Sequence, residues 1–292
     1  DGQICSNTIT HITHDMQIVN DADTVIGMNH GKMFFYGTKK AFLENPENVQ
    51  LIQGNPLEVC DKKERFFQLC EKQKSLSVQD LSFTYEKNEN QSNHGVYNIN
   101  FELKNGSITA LTGPSGSGKS TVLELCAGLL ESQSNGKIFA ESKPVLAQQN
   151  AKAALFENFA ADDVAFGAIN KGISGNELKQ LVKESMDLAA LPFEKFSERK
   201  TFYLSGGEQR RLSIAGILAL NADILLFDEP TAGLDSSARF EVLMMMKKLA
   251  KNGKTILFST HKMDEADFSD REIKMEQGRI VYDSNDAFQN QT

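Results

Sequence analysis

Two features that would point to particular classes of protein are missing from the sequence. Its four cysteines include no Cys-x-x-Cys pair, so we expect neither a disulfide-stapled scaffold nor a cysteine-rich metal cluster. Scattered thiols of this kind fit a reducing cytosol. No apolar run approaches the ~18 residues that a membrane-spanning helix needs, and the first residues lack the basic and apolar parts of a signal peptide.

An excess of basic residues is missing as well. Lys and Arg number 31 against 39 Asp and Glu, and this acidic balance argues against nucleic acid as the main partner. The chain has 292 residues, of which 40% are apolar, so it is long enough for one large domain or two small ones with a packed core.

A glycine-rich segment in the middle of the chain matches the phosphate-binding pattern G-x-x-x-x-G-K-[ST]. The run Ser107–Thr112 predicts a buried strand before it, and a predicted helix follows from Ser120, which is the setting that this pattern requires. Glycines let the backbone close around phosphate oxygens, and amides at the helix start attract negative charge. We expect Lys119 to reach the β- and γ-phosphates of ATP and the Ser120 hydroxyl to bind Mg²⁺. The predicted nucleotide-binding residues here are Gly113, Pro114, Ser115, Gly116, Ser117, Gly118, Lys119, Ser120 and Thr121.

A second apolar run ends in two carboxylates. Ile224–Phe227 is continuously apolar, as expected of a parallel strand buried on both faces, and Asp228 and Glu229 follow at its carboxyl end. Open α/β sheets bind their ligands at this end of the strands. We expect Asp228 to contribute to the Mg²⁺ site and Glu229 to polarise the water that attacks the γ-phosphate.

Between these two segments lies the sequence LSGGE, at residues 204–208, and here the chain resembles the ATP-binding cassette (ABC) family, whose signature is LSGGQ. Other motifs of that family occur in the family's order, from Leu76 to about Asp283. The residues that match them are Tyr85 (the aromatic that stacks on adenine), Gln149 (the Q-loop glutamine), Asp235 (the D-loop aspartate) and His261 (the switch histidine that senses the γ-phosphate).

The resemblance implies a fold and a way of working. The implied fold is an α/β P-loop NTPase fold with a mixed sheet core, an antiparallel β subdomain and a helical subdomain. In this family the signature faces the γ-phosphate bound to an opposite cassette, so a second ABC ATPase domain is an implied partner, on the same chain or another. The implied cofactors are ATP and Mg²⁺. The implied catalytic residues are Glu229, His261 and Gln149, the metal-binding residues are Ser120, Gln149 and Asp228, and the signature residues are Ser205, Gly206, Gly207 and Glu208.

Two further segments look like those of the energy-coupling factor (ECF) type of ABC ATPase. These are Asp163–Gly167, with the sequence DVAFG, and Phe202–Gly216 around the signature. That group powers the uptake of vitamins and transition-metal ions and pairs with an integral membrane protein at the cytoplasmic face of the cell membrane. The chain departs from the group's pattern at Gln148, where an aromatic residue is usual. Val164 and Phe166 of the first segment would serve equally well as core residues.

The segments before and between the motifs distinguish this function from its alternatives. Soluble tandem ABC ATPases that act on the ribosome usually carry a long basic segment between their domains, whereas residues 43–75 are few and not net basic. Chromosome-maintenance ATPases insert long coiled coils, and Gln149–Leu204 shows no sustained heptads. The fused ATPase of another importer, such as one for sugars, remains an alternative that ranks below the ECF type because of the DVAFG segment.

The start of the chain repeats its end. Thr8–Met16 aligns with Thr255–Met263, and residues 23–32 align with residues 270–279. His14 thus takes the position of a switch histidine, and a metal site with His11 is not expected because positions three apart on a strand face opposite sides. The repeat predicts that residues 1–42 are the C-terminal remnant of a first ABC domain, residues 43–75 a linker and residues 76–292 a complete domain.

The remnant should form a strand, a helix and a hairpin. We expect the strand at Thr8–Thr13, the helix at about Met16–Asn20 and the hairpin around residues 29–31, where Asn-His-Gly suits a turn. So small a piece buries too little surface to be stable alone, so it is expected to be poorly anchored or to dock on the second domain. Because the chain begins with Asp rather than Met, it is expected to be a fragment or a processed piece. The repeat predicts that it is part of a larger two-cassette protein.

Overall fold

The computed structural model describes residues 10, 19–29, 32–48, 73–85, 95–131 and 136–289. The chain divides into two compact units, one formed by residues 1–56 and 235–240 and the other by residues 57–234 and 241–292.

The first unit contains a β-hairpin followed by a short helix. Strand β1 (Thr24–Asn29) pairs antiparallel with β2 (Lys32–Thr38), and a β-bulge shifts the register after Gly27. Helix α1 (Lys39–Leu43) follows at once, because the Thr38 hydroxyl accepts a hydrogen bond from an amide of its first turn.

The two faces of this hairpin differ in what they contact. On one face Val25 and Phe35 pack against Phe42 of α1, and the two phenylalanine rings meet edge-on with centroids 5.0 Å apart. The other face carries four apolar side chains that are well exposed. These are Ile26, Met28, Met33 and Tyr36, at 57%, 60%, 62% and 70% exposure.

The sequence predictions for this region are met in part. The hairpin predicted around residues 29–31 is confirmed, and residues 19–20 are helical as expected. The predicted strand Thr8–Thr13 lies outside the described residues except for Thr10, and so do His11 and His14. Of the predicted linker, residues 49–72 lie outside the described part, and Lys74 and Ser75 already belong to the first strand of the second unit.

The second unit combines two sheets. A three-stranded antiparallel sheet has the strand order β4-β3-β6 and a six-stranded sheet the order β11-β10-β5-β9-β8-β7. In the larger sheet β10 and β11 are antiparallel, whereas the other neighbours are parallel. The strands are β3 (Lys74–Thr84), β4 (Gly95–Lys104), β5 (Ile108–Thr112), β6 (Lys137–Ala140), β7 (Val145–Ala147), β8 (Ile224–Phe227), β9 (Thr255–Thr260), β10 (Arg271–Glu276) and β11 (Arg279–Asp283).

Helices connect these strands and form a helical part. Strands β5, β8 and β9 are buried along their whole length, which accounts for the continuous apolar sequence of β8 and for the absence of charged residues from all three. From residue 73 onward, the α-helices of the described ranges are α2 (Lys119–Cys126), α3 (Ala160–Asn170), α4 (Gly175–Leu188), α5 (Phe193–Phe196), α6 (Gly206–Ala219), α7 (Ser236–Lys251), α8 (Met263–Phe268) and α9 (Ser284–Gln289).

Two apolar clusters among the described residues help to hold the second unit together. One joins β3, β4 and the central strands to α2, and it includes Leu81, Phe101, Leu123 and Met275. The other joins α3, α4 and α6 through residues such as Val164. The predicted fold of a mixed sheet, an antiparallel β part and a helical part is therefore confirmed. Within the described ranges, no helix is both long and apolar enough to cross a membrane.

Among the cysteines, only Cys126 lies in the described part of the chain. It is a free thiol inside α2, fully buried, and burial raises its pKa to about 12. A thiol of this kind stays protonated and acts as a small apolar side chain.

Candidate functional site

The segment that matches the phosphate-binding pattern, called here the phosphate loop (residues 113–120), connects β5 to α2. Its backbone needs glycine at defined points, because Gly113, Gly116 and Gly118 have φ angles of 140°, 78° and 100°. A Cβ atom on Gly113 would lie 2.1 Å from the carbonyl oxygen of Met275. The loop is thus a tight backbone cradle that larger residues would distort.

The lysine of the loop lies folded over it. Lys119 Nζ donates hydrogen bonds to the carbonyl oxygens of Gly113 at 2.9 Å and Pro114 at 3.0 Å. Burial lowers the pKa of Lys119, although the carboxylates of Glu229 and Asp228 act to raise it. The Ser117 hydroxyl is buried with no hydrogen-bond partner in the described part of the chain. The Lys119 cation, the unpaired Ser117 hydroxyl and the backbone amides of a glycine-rich loop are groups that can bind a polyphosphate.

The aromatic residue predicted to stack on adenine lies beside this loop. The Tyr85 hydroxyl is 3.1 Å from the Thr121 hydroxyl in the first turn of α2. Its ring packs edge-on against Phe83 with centroids 4.9 Å apart, yet the side chain remains 46% exposed. A flat exposed ring at the edge of a phosphate cradle is available for stacking.

The two carboxylates follow β8, as predicted, and Ser259 of β9 contacts both residues, the first through its carboxylate and the second through its backbone amide. Its hydroxyl donates to Asp228 Oδ1 at 2.6 Å and accepts a 2.8 Å hydrogen bond from the amide of Glu229. Glu229 has a φ of 45°, a left-handed conformation that turns its side chain away from the line of the strand. The strand end therefore sends the two carboxylates in different directions.

Glu229 lies between the two other residues predicted to be catalytic. Gln149 Nε2 donates to Glu229 Oε2 at 3.1 Å, and His261 Nδ1 is 3.3 Å from Glu229 Oε1. These three side chains come from three different loops, each at the carboxyl end of a parallel strand. The arrangement orients a carboxylate, an amide and an imidazole around one point, as general-base catalysis requires.

A buried arginine that the sequence analysis did not single out supports this cluster. Arg210 of α6 donates to the carbonyl oxygens of Gln149 at 2.7 Å, Glu229 at 2.8 Å and Pro230 at 3.3 Å, and it also bonds those of Gln148 and Asp228. Burial lowers its pKa, while Asp228 and Glu229 act to raise it. From sequence alone a charged residue is expected to be exposed. The role of Arg210 in holding backbone carbonyls is therefore seen only in the fold.

The signature residues form the start of α6. Ser205 N and Oγ donate to Glu208 Oε2 at 2.8 and 2.9 Å, and the amide of Glu208 donates back to Ser205 Oγ at 3.3 Å, which makes a capping box. Burial acts to raise the pKa of Glu208, but the bonds from Ser205 and the charges of Arg199 and Arg211 outweigh it and lower the pKa. Ser205 and Gly206 are exposed, and Gly207 lies beside Leu234.

The D-loop aspartate has a local partner. Asp235 Oδ1 accepts a 2.8 Å hydrogen bond from the amide of Ala238 and so caps the first turn of α7. Direct contacts therefore bring Gln149, Glu229 and His261 together. The hydrogen bonds described for Asp235 and for the Ser205–Glu208 pair are instead made between residues three positions apart in the sequence.

Comparison with known proteins agrees with this geometry. The family model described as ABC transporter matches residues 96–232. The chain is 38% identical over 223 residues to the energy-coupling factor transporter ATP-binding protein EcfA2 of Lactococcus lactis subsp. lactis (strain IL1403), with 70% of this chain and 77% of that protein covered. It is 37% identical over 224 residues to the EcfA2 of Streptococcus pyogenes serotype M5 (strain Manfredo), with 71% and 80% covered.

Solved structures show the same fold. The ATP-binding cassette MJ0796 in a dimeric post-hydrolysis state bound to ADP and Pi gives a TM-score of 0.66 at 29% identity, with 71% of this chain and 97% of that chain covered. The cbiO1 protein of Clostridium perfringens, part of the ABC transporter complex cbiONQ, gives 0.64 at 28% identity, with 75% and 92% covered. This chain accordingly belongs to the ABC transporter family, as an ATP-binding cassette whose hydrolysis of ATP drives transport.

Proposed function

We propose that the chain powers a transporter of the ECF type, which takes up a vitamin or a transition-metal ion, from the cytoplasmic face of the membrane. The observation that carries this proposal is the 38% identity to an ECF ATP-binding protein over 77% of that protein's length. The DVAFG segment, Asp163–Gly167, supports it further. The substrate is chosen by the membrane partner, and nucleic acid has no part in this function.

The proposed nucleotide site uses the residues described above. ATP lies with its phosphates in the loop of residues 113–120, where Lys119 exchanges its two carbonyl partners for phosphate oxygens. Tyr85 stacks on adenine. Mg²⁺ would be held by Ser120, Asp228 and Gln149, whose hydroxyl, carboxylate and amide oxygens are the donors it prefers, and it would neutralise phosphate charge.

Glu229 is the proposed general base. Its two carboxylate oxygens are held by Gln149 and His261, so the group is oriented before the nucleotide arrives. The carboxylate takes a proton from the attacking water, while His261 hydrogen-bonds the γ-phosphate and responds when that group leaves.

The proposed active assembly contains two cassettes. Ser205 and the amides of Gly206 and Gly207 open a 14-residue helix and are exposed or half-buried, so they can receive an anion from outside the cassette, beside the Glu208 carboxylate that Ser205 already contacts. We infer that they bind the γ-phosphate held by the opposite cassette, with Glu208 and Asp235 at the same interface. One structural relative was solved as a dimer bound to ADP and Pi.

An exposed aromatic surface is the proposed contact with the membrane subunit. The Asp163 carboxylate accepts hydrogen bonds of 2.9 Å from the amides of Phe156 and Glu157, which places the Phe156 ring 4.4 Å from that of Phe166. Both rings are exposed, at 53% and 41%. Large apolar rings left in water are typical of a protein interface. Val164 of the same segment is buried in the core, as the alternative for this segment expected, whereas Phe166 is exposed and is the residue proposed for the contact.

A cavity lined partly by other exposed rings is a further part of the proposed surface. It measures about 400 Å³ and is lined by Asn158, Phe159, Lys200, Phe202 and Tyr203. Phe202 and Tyr203 are 58% and 84% exposed. A helix from a membrane subunit could place one apolar side chain in it.

Co-purification from membranes tests this function. The tagged chain should be recovered with an integral membrane subunit, and the double substitution Phe166→Ser with Phe202→Ser should abolish recovery while ATP binding is kept. Phe139→Ser is the matched control, because Phe139 is 54% exposed on β6 in the antiparallel sheet. Recovery with ribosomes instead of a membrane protein would support the soluble ATPase alternative and contradict the proposal.

A further inference from the structure

The hairpin near the start of the chain repeats the terminal hairpin of the second unit, pair for pair. Both ladders contain the same register shift at the same place, so matching residues keep a constant offset of 247, the difference between Met275 and Met28. The matched pairs are Ile26–Tyr36 with Ile273–Asp283, Gly27–Phe35 with Lys274–Tyr282, Met28–Met33 with Met275–Ile280, and Asn29–Lys32 with Glu276–Arg279.

The match extends before the hairpin. The amide of Ala22 donates to the carbonyl of Val19 at 3.2 Å, and the amide of Ser269 donates to that of Ala266 at 3.2 Å, again 247 residues apart. A β-bulge is a specific feature of a fold rather than an accident. Because both hairpins have the bulge at the same position in the register, we take them as two copies of the same structural unit.

The two copies differ in the burial of one face. In the terminal hairpin Ile273 and Met275 are fully buried in the core, at 0% exposure. Their counterparts Ile26 and Met28 are 57% and 60% exposed, although they are equally apolar. The first hairpin therefore carries the core-facing side chains of a cassette and leaves them in water.

The second copy shows what lies along the edge and at the turn of such a hairpin when its apolar face is buried. There β5, the strand that leads into the phosphate loop, pairs in parallel with residues 271–274 of β10. The phosphate loop lies against the hairpin turn, because the amide of Gly278 donates to the Ser117 carbonyl at 3.0 Å. In the described part of the chain, β1 pairs with β2 alone and its other edge has no such strand.

We propose that β1 and β2 form a docking surface for the core of a second ABC cassette that lacks its own terminal hairpin. The strand before that cassette's phosphate loop pairs in parallel with residues 24–27, and Ile26, Met28 and Met33 enter its core. An isolated hairpin with an unpaired edge and an exposed apolar face is marginally stable and prone to non-specific pairing. Pairing with the strand before a phosphate loop would satisfy that edge. This inference does not depend on the ECF assignment or on a membrane partner.

A chimera tests whether the hairpin fits a cassette core. Residues 271–289 of the full chain are replaced by the sequence of residues 24–42, which puts Ile26 and Met28 in the places of Ile273 and Met275. The control inserts residues 25–43 instead, and this slip of one residue turns the same side chains to the outer face. We expect the in-register chimera to retain ATP binding by calorimetry and the slipped one to lose it.

A second in-register chimera controls for the loss of native polar contacts in the replaced segment. It keeps Arg271, Glu272 and Asp283, because Arg271 pairs with Asp283 and the Thr112 hydroxyl donates to Glu272. If both in-register chimeras lose ATP binding as the slipped control does, the proposal is overturned.

Photo-crosslinking in the source cells tests the occupant. Benzoylphenylalanine at position 28 of the whole chain should yield a crosslinked peptide with the pattern G-x-x-x-x-G-K-[ST] other than residues 113–120, identified by mass spectrometry. Position 40, on α1 with a side chain 85% exposed, is the control and should give no such peptide. A crosslink to residues 113–120 of another copy, to a different protein, or to nothing overturns the proposal.

Discussion

At the scale of single residues, the catalytic assignment depends on one carboxylate. Glu229 is the group that Gln149 and His261 both contact, so its replacement removes the base without disturbing the phosphate loop. We predict that Glu229→Gln lowers steady-state ATP hydrolysis by about 10²-fold or more, the usual contribution of a general base, and leaves ATP affinity within twofold by calorimetry. Glu276→Gln, at an exposed site on β10, is the control. Unimpaired hydrolysis by the Glu229 variant in an assembled dimer would refute the assignment.

Glu208 is the residue at which the signature departs from the family pattern. It draws the hydroxyl hydrogen of Ser205 to its own carboxylate and places a negative charge beside the proposed γ-phosphate site. We predict that Glu208→Gln, which keeps the cap but removes the charge, raises the hydrolysis rate about fivefold, corresponding to about 1 kcal/mol of repulsion relieved. Phosphate release at saturating ATP measures it. A rate that falls or does not change would show that the carboxylate is compatible with the phosphate.

Single residues differ in how well a sequence predicts them. The positions of Gln149, Glu229 and His261 follow from motifs at strand ends, and parallel strands bring those ends together. Arg210 was not predictable, because its five carbonyl partners come from segments that only the fold brings together. The positive φ of Glu229 was also beyond the sequence, since non-glycine residues seldom adopt it.

At the scale of elements, Arg210 links α6 to the loops that follow β7 and β8. Removing its guanidinium leaves buried carbonyls without donors, which costs about 3 kcal/mol or more. We predict that Arg210→Met lowers the melting temperature by roughly 5–10 °C and slows hydrolysis through misplacement of Gln149 and Glu229. Arg279→Met, at an exposed site on β11 where the arginine lies over Tyr97, should change neither. Wild-type melting of the Arg210 variant would contradict the link.

The bounds of elements follow from the sequence where burial is complete. β8 begins and ends at the predicted residues, because a short run that is apolar throughout is typical of an inner strand of a parallel sheet. β5 begins one residue later than predicted, at Ile108, and α2 one residue earlier, at Lys119, since the turn of the phosphate loop decides both. The exposed face of β1 was not predictable, because the hairpin's sequence carries the pattern of a buried one.

At the scale of the whole molecule, one cassette holds only part of each proposed active site. Its phosphate loop and Glu229 need the signature of a second cassette, and in a pure preparation only another copy of the chain can supply it. We predict that the hydrolysis rate per chain falls on dilution, as the paired form dissociates, and that ATP with Glu229→Gln traps a dimer. Phosphate release across a concentration series and light scattering after gel filtration measure these effects.

A signature variant separates pairing from simple loss of activity on dilution. Ser205→Arg places a long cation where the opposite phosphate is proposed to bind, so it should prevent the ATP-dependent dimer while ATP binding to the monomer is kept. Ser174→Arg, at an exposed position just before α4 where the serine side chain makes no cap hydrogen bond, is the control and should dimerise like the parent chain. A rate per chain that stays constant on dilution, with the protein monomeric throughout, would mean that one cassette suffices and would overturn the two-cassette mechanism.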